Sequence, residues 1–168
     1  MQHRFLEEQI GPGQFWTALG CRPMGAVVVT AGHDGQPAGF LGLSFSHISA
    51  TPPRVLVSVG RTTGALDTLL AAGCFAANIL PKGSHEIARA FGGKASAAER
   101  FSSGNWTTMT TGAPVLETAT AVFDCEVTKT VEDEGAIILL GKVVELGWSG
   151  GRGATVAAAG AFVDFPDG

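Results

Sequence analysis

Short β-branched segments, separated by glycine and proline turns, limit how this chain can fold more than any other feature. Residues 26–30 are short and valine-rich, which predicts a strand. The Asp-Gly pair at 34–35 is a strong hairpin-turn signal, and a second strand is predicted over 38–43. Two prolines at 52–53 break the chain before a third predicted strand over 54–59. Turns this frequent favour an antiparallel sheet.

Further strands are predicted over 75–80, 119–131, 136–146 and 155–164. Over 119–131 the side chains alternate between a mostly apolar face and a more polar face that includes Asp124. About seven strands joined by short helices predict a mainly β fold, an antiparallel barrel-like sheet with helical insertions. Strands and long helices do not alternate regularly, which argues against a doubly wound parallel sheet.

Three short helices are predicted between these strands. They cover residues 15–19, residues 62–70 with a threonine available as N-cap, and residues 84–91. Ser84 is the expected N-cap of the last helix, which two glycines at 92–93 should end.

Composition indicates one folded domain over residues 1–168, since 45% of the residues are hydrophobic and only 15% are charged. The low charge and 24 glycines favour tight turns and a buried subunit interface. A net charge of −4 argues against a nucleic-acid or anionic-membrane partner. No signal peptide or membrane-spanning stretch is recognised, so a cytoplasmic location is expected.

Cysteines and histidines give no metal or disulfide pattern. The three cysteines are interpreted as buried small hydrophobic residues in a reducing compartment: Cys21, Cys74 and Cys125. The four histidines lack metal-ligand spacing, and most are expected at the surface: His3, His33, His47 and His85.

Familiar catalytic motifs are also missing. Residues 42–46 resemble a nucleophile elbow but end in serine where the sharp turn requires glycine. Residues 151–153 are glycine-rich but open no helix after a strand, which argues against a Rossmann site.

Two segments remain as candidate ligand sites. Residues 44–53 offer hydroxyls and backbone N–H groups to a flat polar ligand edge, although a Ser/Thr-rich turn would have the same composition. Residues 58–64 place Arg61, Thr62 and Thr63 where a strand gives way to a predicted helix. That arrangement suits a phosphate, and equally a helix cap with a surface arginine.

Together these segments resemble the flavin reductase family, short NAD(P)H:flavin oxidoreductases with an FMN-binding split-barrel fold. The resemblance extends from about residue 15 to residue 162. It rests on motifs at 25–30, 44–46, 51–59, 61–63, 75–80, 88–93, 100–101, 112–116 and 125–147.

The resemblance implies specific cofactor contacts. The matching positions line the isoalloxazine ring (Leu43, Ser44, Phe45), hold the phosphate (Ser58, Arg61, Thr62, Thr63), close over the flavin (Phe91, Gly92) and add charge from a loop (Arg100). It also implies FMN or FAD as cofactor, NADH or NADPH as co-substrate, and a homodimer with the flavin near the interface.

The implied activity is hydride transfer to flavin N5, with reduced flavin supplied to a partner monooxygenase. Backbone N–H groups around Ser44 and Phe45 would stabilise negative charge on the ring, and no protein acid or base is required. Members often end in a His-Arg-Gly-Gly-Tyr-like segment, which residues 157–162 replace with Ala-Ala-Ala-Gly-Ala-Phe. A reductase of a bulky acceptor such as a corrinoid therefore stays open, as does a non-catalytic flavin- or haem-binding module.

Overall fold

The computed structural model describes residues 9–151 and 153–165 and contains four short helices and twelve strands within them. The helices are α1 (Pro12–Leu19), α2 (Leu66–Ala72), α3 (His85–Gly92) and α4 (Ala97–Phe101). The strands are β1 (Met24–Gly25), β2 (Val27–His33), β3 (Gln36–Leu41), β4 (Ser46–Ala50), β5 (Pro53–Gly60), β6 (Cys74–Ile79), β7 (Trp106–Thr108), β8 (Pro114–Leu116), β9 (Ala121–Glu132), β10 (Ala136–Trp148), β11 (Ala154–Ala158) and β12 (Ala161–Phe165).

Seven strands form the main sheet, in the order β3-β2-β6-β9-β10-β5-β4, and every neighbouring pair is antiparallel. A second sheet has the order β1-β11-β12, and β7 pairs with β8. The mainly β, antiparallel class predicted from the sequence is therefore confirmed. The predicted hairpin turn is also present, with φ of 50° at Asp34 and 73° at Gly35 between β2 and β3.

β2 is apolar at consecutive positions because it is buried on both faces. Val27, Val29 and Ala31 join a core with the valines of β5 and with α2. Val28 faces a second core formed with α3 and β8. The main sheet therefore lies between α2 on one side and α3 on the other, and the loop before α2 meets the segment after α3 beside the end of β3.

Asp124 does not lie on an exposed polar face, as the alternation over residues 119–131 suggested, because its side chain is fully buried. The backbone N–H of Thr111 donates to Asp124 Oδ2 at 2.8 Å, and the Thr111 hydroxyl donates to Oδ1. Asn78, also buried, donates to the Val28 carbonyl and accepts from the Leu116 N–H. The alternation of polar and apolar residues could not reveal that these side chains are buried, since their hydrogen-bonding partners come from other segments of the chain.

Several predicted boundaries were wrong. The helix predicted over 62–70 begins at Leu66, and its N-cap is Ala65 rather than a threonine. Ser84 precedes α3 as predicted, but its side chain makes no capping hydrogen bond. The final strand predicted over 155–164 is the β11–β12 hairpin, whose turn lies at residues 159–160. Helix α4 and strands β1, β4, β7 and β8 were not predicted, because they are short.

The cysteine prediction holds for Cys125 alone. Cys125 is buried, whereas Cys74 is partly exposed and Cys21 is exposed. Burial, with a smaller effect of the neighbouring Asp124, raises the pKa of the Cys125 thiol to about 12. Across the described part of the chain, no helix combines the length and apolar character that a membrane span requires.

Candidate functional site

Three adjoining cavities lie where the end of β3 meets the loop after β5, the end of α3 and α1. The first, called the central groove here, has a volume of about 460 Å³ and is lined by Trp16, Leu19, Arg22, Met24, Phe40, Leu41, Gly42, Leu43, Ser44, Ser58, Gly60, Thr63, Gly135 and Ala136. The second, the cationic pocket, measures about 350 Å³ and is lined by Phe40, Leu41, Thr62, Thr63, Gly64, Phe91, Gly92, Gly93, Lys94 and Arg100. The third, the apolar cavity, measures about 260 Å³ and is lined by Trp16, Gly20, Met24, Leu43 and residues 157–162.

The wall of the central groove turns sharply after β3 because Gly42 lies deep in the core. Its N–H donates to the Val27 carbonyl at 2.7 Å. A Cβ at this position would lie 2.7 Å from Val29 Cγ2 and 3.2 Å from Val57 Cγ2, so only glycine fits without a shift. The Phe45 N–H then donates to the Gly42 carbonyl at 3.1 Å and closes the turn. Residues 43 and 44 are thereby presented to the groove.

Ser44 and Ser58 are joined across the groove wall. The Ser58 N–H donates to Ser44 Oγ at 2.9 Å, and the Ser44 hydroxyl donates to the Ser58 carbonyl at 3.1 Å. One side chain thus satisfies both backbone groups of Ser58, where the pairing of β4 with β5 has ended. The two residues, predicted separately as ring and phosphate contacts, form one fixed unit.

Backbone donors are available beside this unit. No described residue accepts a hydrogen bond from the N–H of Leu43 or Ser44, whereas the Phe45 N–H is used within the turn. The Phe45 ring packs against Phe123 at 5.4 Å and lines a different cavity. Of the predicted ring contacts, the structure places Leu43 and Ser44 at the groove and Phe45 behind it.

Arg100 organises one side of the cationic pocket rather than offering a free charge. It lies in α4, not in the loop that was expected. Its guanidinium donates to the carbonyls of Ala90 at 3.2 Å, Gly39 at 2.9 Å and Gly93 at 2.9 Å. These bonds tie β3 to the end of α3. The start of α4 is fixed by Ser96, which accepts from the Glu99 N–H.

Lys94 is the uncommitted cation of this pocket, and the sequence interpretation missed it. It is exposed, and no described residue forms an ion pair with it. The Thr62 and Thr63 hydroxyls opposite likewise have no partner among the described residues. A lysine directly after a helix-ending Gly-Gly pair was the signal that could have revealed Lys94.

Arg61 lines none of the three cavities. Its Nη2 donates to Glu132 Oε2 at 3.1 Å, and its Nε donates to the Asp133 carbonyl at 3.1 Å. Phe91 is 2% exposed and packs against Phe101 and Trp106, so it backs the cationic pocket from the core. Gly92 lines the same pocket.

This arrangement suits a flat heteroaromatic ring that carries an anionic tail. The central groove is mostly apolar with two free N–H donors, and it shares Phe40, Leu41 and Thr63 with a neighbouring pocket that has hydroxyls and a lysine. Within residues 9–151 and 153–165, no three His, Cys, Asp or Glu side chains are grouped to hold a metal ion.

Comparison with known proteins agrees with this geometry. Residues 19–162 match the model of the flavin reductase like domain. The chain belongs to that family. An FMN reductase (NADH) RutF from Ancylobacter novellus is 34% identical over 139 residues, which cover 83% of this chain and 77% of that protein. The reductase subunit HsaB of a flavin-dependent monooxygenase from Mycobacterium tuberculosis is 29% identical over 141 residues, covering 84% and 74% of the two chains.

A solved structure shares the architecture. The NADH:FAD oxidoreductase SgcE6 of Streptomyces globisporus, in complex with NAD and FAD fragments, superposes with a TM-score of 0.85 at 29% identity, covering 95% of this chain and 97% of its own. The family match contains the central groove from residue 19 onward and the whole cationic pocket. Trp16 precedes the matched range.

Proposed function

We propose that the protein is an NADH-dependent flavin reductase that delivers reduced FMN or FAD to a separate monooxygenase. The observation that carries the proposal is that the central groove and the cationic pocket adjoin, since Phe40, Leu41 and Thr63 line both. A flavin nucleotide has the same two parts, a flat tricyclic ring and a phosphate tail.

The residues present fit such a cofactor. The ring would lie along residues 41–44, with the Ser44–Ser58 unit at its edge. The phosphate would lie between Lys94 and the hydroxyls of Thr62 and Thr63, which are otherwise unpartnered among the described residues. Lys94 therefore joins the phosphate contacts proposed from the sequence. Arg61, held by Glu132, is proposed to act from the rim.

The chain's own contribution is orientation and electrostatics. A bound flavin would supply the redox chemistry by taking a hydride from the reduced nicotinamide. The N–H groups of Leu43 and Ser44 would stabilise negative charge that develops on the ring. Arg22 is the one charged residue among those lining the central groove, so no carboxylate or histidine of that lining is poised to move a proton.

A second copy of the chain is the proposed structural partner, in a split-barrel homodimer formed by one domain per chain. Large apolar side chains stay exposed on the single chain, with Leu146 at 59% and Trp148 at 78%. Exposed apolar surface of this kind is typical of interaction sites. The relatives RutF and HsaB, an NADH-dependent FMN reductase and a monooxygenase reductase subunit, support the proposed reaction and its monooxygenase partner.

The proposal is tested by steady-state NADH oxidation with FMN, FAD and aquocobalamin as alternative acceptors. We expect turnover with a flavin, saturable binding of FMN or FAD by fluorescence titration, and a dimeric mass by light scattering. Repeating the assay with NADPH in place of NADH shows which of the two dinucleotides the protein prefers. No flavin binding would reject the reductase, and turnover with aquocobalamin alone would move the protein to the corrinoid class.

A further inference from the structure

Met24 lies where three cavities meet. It lines the central groove, the apolar cavity and a fourth cavity of about 300 Å³ beside Phe45. Leu43 is the other residue that these three cavities share. Met24 is partly exposed, so a small molecule that enters any of the three meets its thioether side chain. An oxidisable sulfur therefore borders the space in which the flavin ring is proposed to bind.

The main chain fixes Met24 at this junction. Met24 pairs with Ala157 in the antiparallel register of β1 with β11. The Ala26 N–H, directly after β1, donates to the carbonyl of the fully buried Thr155 at 2.9 Å. The Met24 side chain can change its rotamer, but its backbone cannot leave the cavity wall without breaking these hydrogen bonds.

Met109 has a different setting. It belongs to the loop after β7, packs against the core that contains Val28, and lines none of the cavities described above. A Cβ built on Gly147 would lie 3.8 Å from its Sδ. Met1, the remaining methionine, lies outside the described residues. The structure thus offers one methionine at the central groove and one away from it.

The proposed reaction produces an oxidant beside Met24. When no monooxygenase takes the reduced flavin, dioxygen accepts two electrons and two protons from it and becomes hydrogen peroxide. Hydrogen peroxide oxidises a thioether: Sδ gives an electron pair to one peroxide oxygen, the S–O bond forms as the O–O bond breaks, and the other oxygen leaves as water. The product, methionine sulfoxide, is polar and chiral.

We propose that Met24 is an oxidation switch. Hydrogen peroxide formed at the flavin converts it to the sulfoxide, which lowers the affinity of the central groove for flavin and slows the reductase when no acceptor is present. The flavin ring would then meet a larger, polar group where it now meets an apolar thioether. Methionine sulfoxide reductases reverse the change. The inference rests on the proposed reductase function.

The first test measures which methionine reacts. Wild-type protein is treated with hydrogen peroxide in the absence of NADH, and the sulfoxides are followed by peptide mass spectrometry. We expect Met24 to be oxidised about fivefold faster than Met109, because Met24 borders three cavities and Met109 packs against the core. Equal rates, or faster oxidation of Met109, would overturn the proposal.

The second test lets turnover supply the peroxide. With NADH, FMN and air but no monooxygenase, we expect Met24 sulfoxide to accumulate and the FMN affinity to fall about fivefold in a fluorescence titration. The same mixture without dioxygen is the control, and equal oxidation of Met24 there would contradict the proposal. A methionine sulfoxide reductase should restore the affinity. Restoration by dithiothreitol alone would place the modification on a cysteine, such as the exposed Cys21, and overturn the assignment.

Two substitutions separate the sulfur from its position. Met24→Leu conserves volume and removes the sulfur, so its FMN affinity should be the same before and after peroxide treatment. Met24→Gln places a polar amide at this position and should bind FMN about fivefold more weakly than the wild type without any peroxide. Met109→Leu is the matched control and should lose affinity on oxidation as the wild type does.

The outcomes distinguish the switch from the reductase. A Met24→Leu protein that loses FMN affinity on peroxide treatment, or a Met24→Gln protein that binds FMN as tightly as the wild type, would overturn the switch. The peroxide treatment needs no turnover, so its result does not depend on the proposed function. A wild-type protein that neither binds flavin nor oxidises NADH would instead refute that function.

Discussion

Ser44 Oγ accepts the N–H of Ser58 at 2.9 Å and donates to the Ser58 carbonyl at 3.1 Å, so one side chain replaces a missing strand partner. Ser44→Ala leaves both backbone groups to water at the edge of the groove. We expect a loss of about 1 kcal/mol in the free energy of unfolding, together with weaker flavin binding.

Urea unfolding and flavin titration measure the two effects of Ser44→Ala. Ser103→Ala is the control, since no described hydrogen bond uses the Ser103 hydroxyl and it lines none of the three cavities. Wild-type stability and wild-type flavin affinity in Ser44→Ala would contradict the role given to this pair.

Lys94 and Arg61 are the two alternative cationic contacts proposed for the flavin phosphate. Lys94→Met should weaken FMN binding about fivefold, because an exposed cation near a phosphate contributes about 1 kcal/mol. Riboflavin, which lacks the phosphate, should bind both proteins alike, and raising the salt concentration should shrink the FMN difference. Lys129→Met, an exposed lysine of β9, should match the wild type.

Arg61→Ala tests whether Arg61 contacts the phosphate from the rim of the cationic pocket. A direct charge-assisted bond from Arg61 to the phosphate predicts a loss of about 1.5–3 kcal/mol in FMN binding. That bond requires Arg61 to turn away from Glu132. If FMN affinity falls in Lys94→Met and stays unchanged in Arg61→Ala, Arg61 serves only to join the loop after β5 to the β9–β10 turn.

Gly42→Ala should damage folding and the groove together. The added methyl group would overlap Val29 and Val57 in the core, an overpacking that costs about 1–3 kcal/mol. Gly13→Ala is the control, since nothing lies within 4 Å of a Cβ built there. Thermal unfolding compares the two, and a Gly42→Ala melting temperature equal to that of Gly13→Ala would show that the close approach at residue 42 is tolerated.

Acid should loosen the link between the loop before α3 and β12. The Gly83 N–H donates to Asp164 Oδ1 at 2.8 Å and His85 Nε2 lies 2.9 Å from the same oxygen, and these bonds lower the pKa of Asp164. A lowered folded-state pKa adds stability above the unfolded pKa, near 3.8, and loses it as the pH falls through the folded value.

Asp164→Asn isolates this acid effect, because an amide approximates the protonated carboxyl group. The wild type should unfold at a higher urea concentration than Asp164→Asn at pH 7, and the difference should begin to shrink below about pH 4 and close once the pH falls below the folded-state pKa of Asp164. A difference that does not shrink as the pH is lowered from 4 would show that the carboxylate charge does not stabilise this link.

Sequence patterns were sufficient to predict the strand-rich class, the β2–β3 hairpin and the family. These features depend on neighbouring residues: valine runs that favour extended backbone, an Asp-Gly pair that permits positive φ, and motifs in a fixed order. The expected site residues Leu43, Ser44 and Ser58 were likewise found at one groove.

Which polar groups remain without a partner depends on how distant segments pack. Arg100 donates to three backbone carbonyls and Arg61 pairs with Glu132, whereas Lys94 has no ion-pair partner among the described residues. The burial of Asp124 is compensated by Thr111, thirteen residues earlier, which donates to both carboxylate oxygens. The Ala159 N–H donates to the Gly20 carbonyl across 139 positions of sequence. Such hydrogen bonds and ion pairs form only when separate segments pack together, so the local residue pattern cannot predict them.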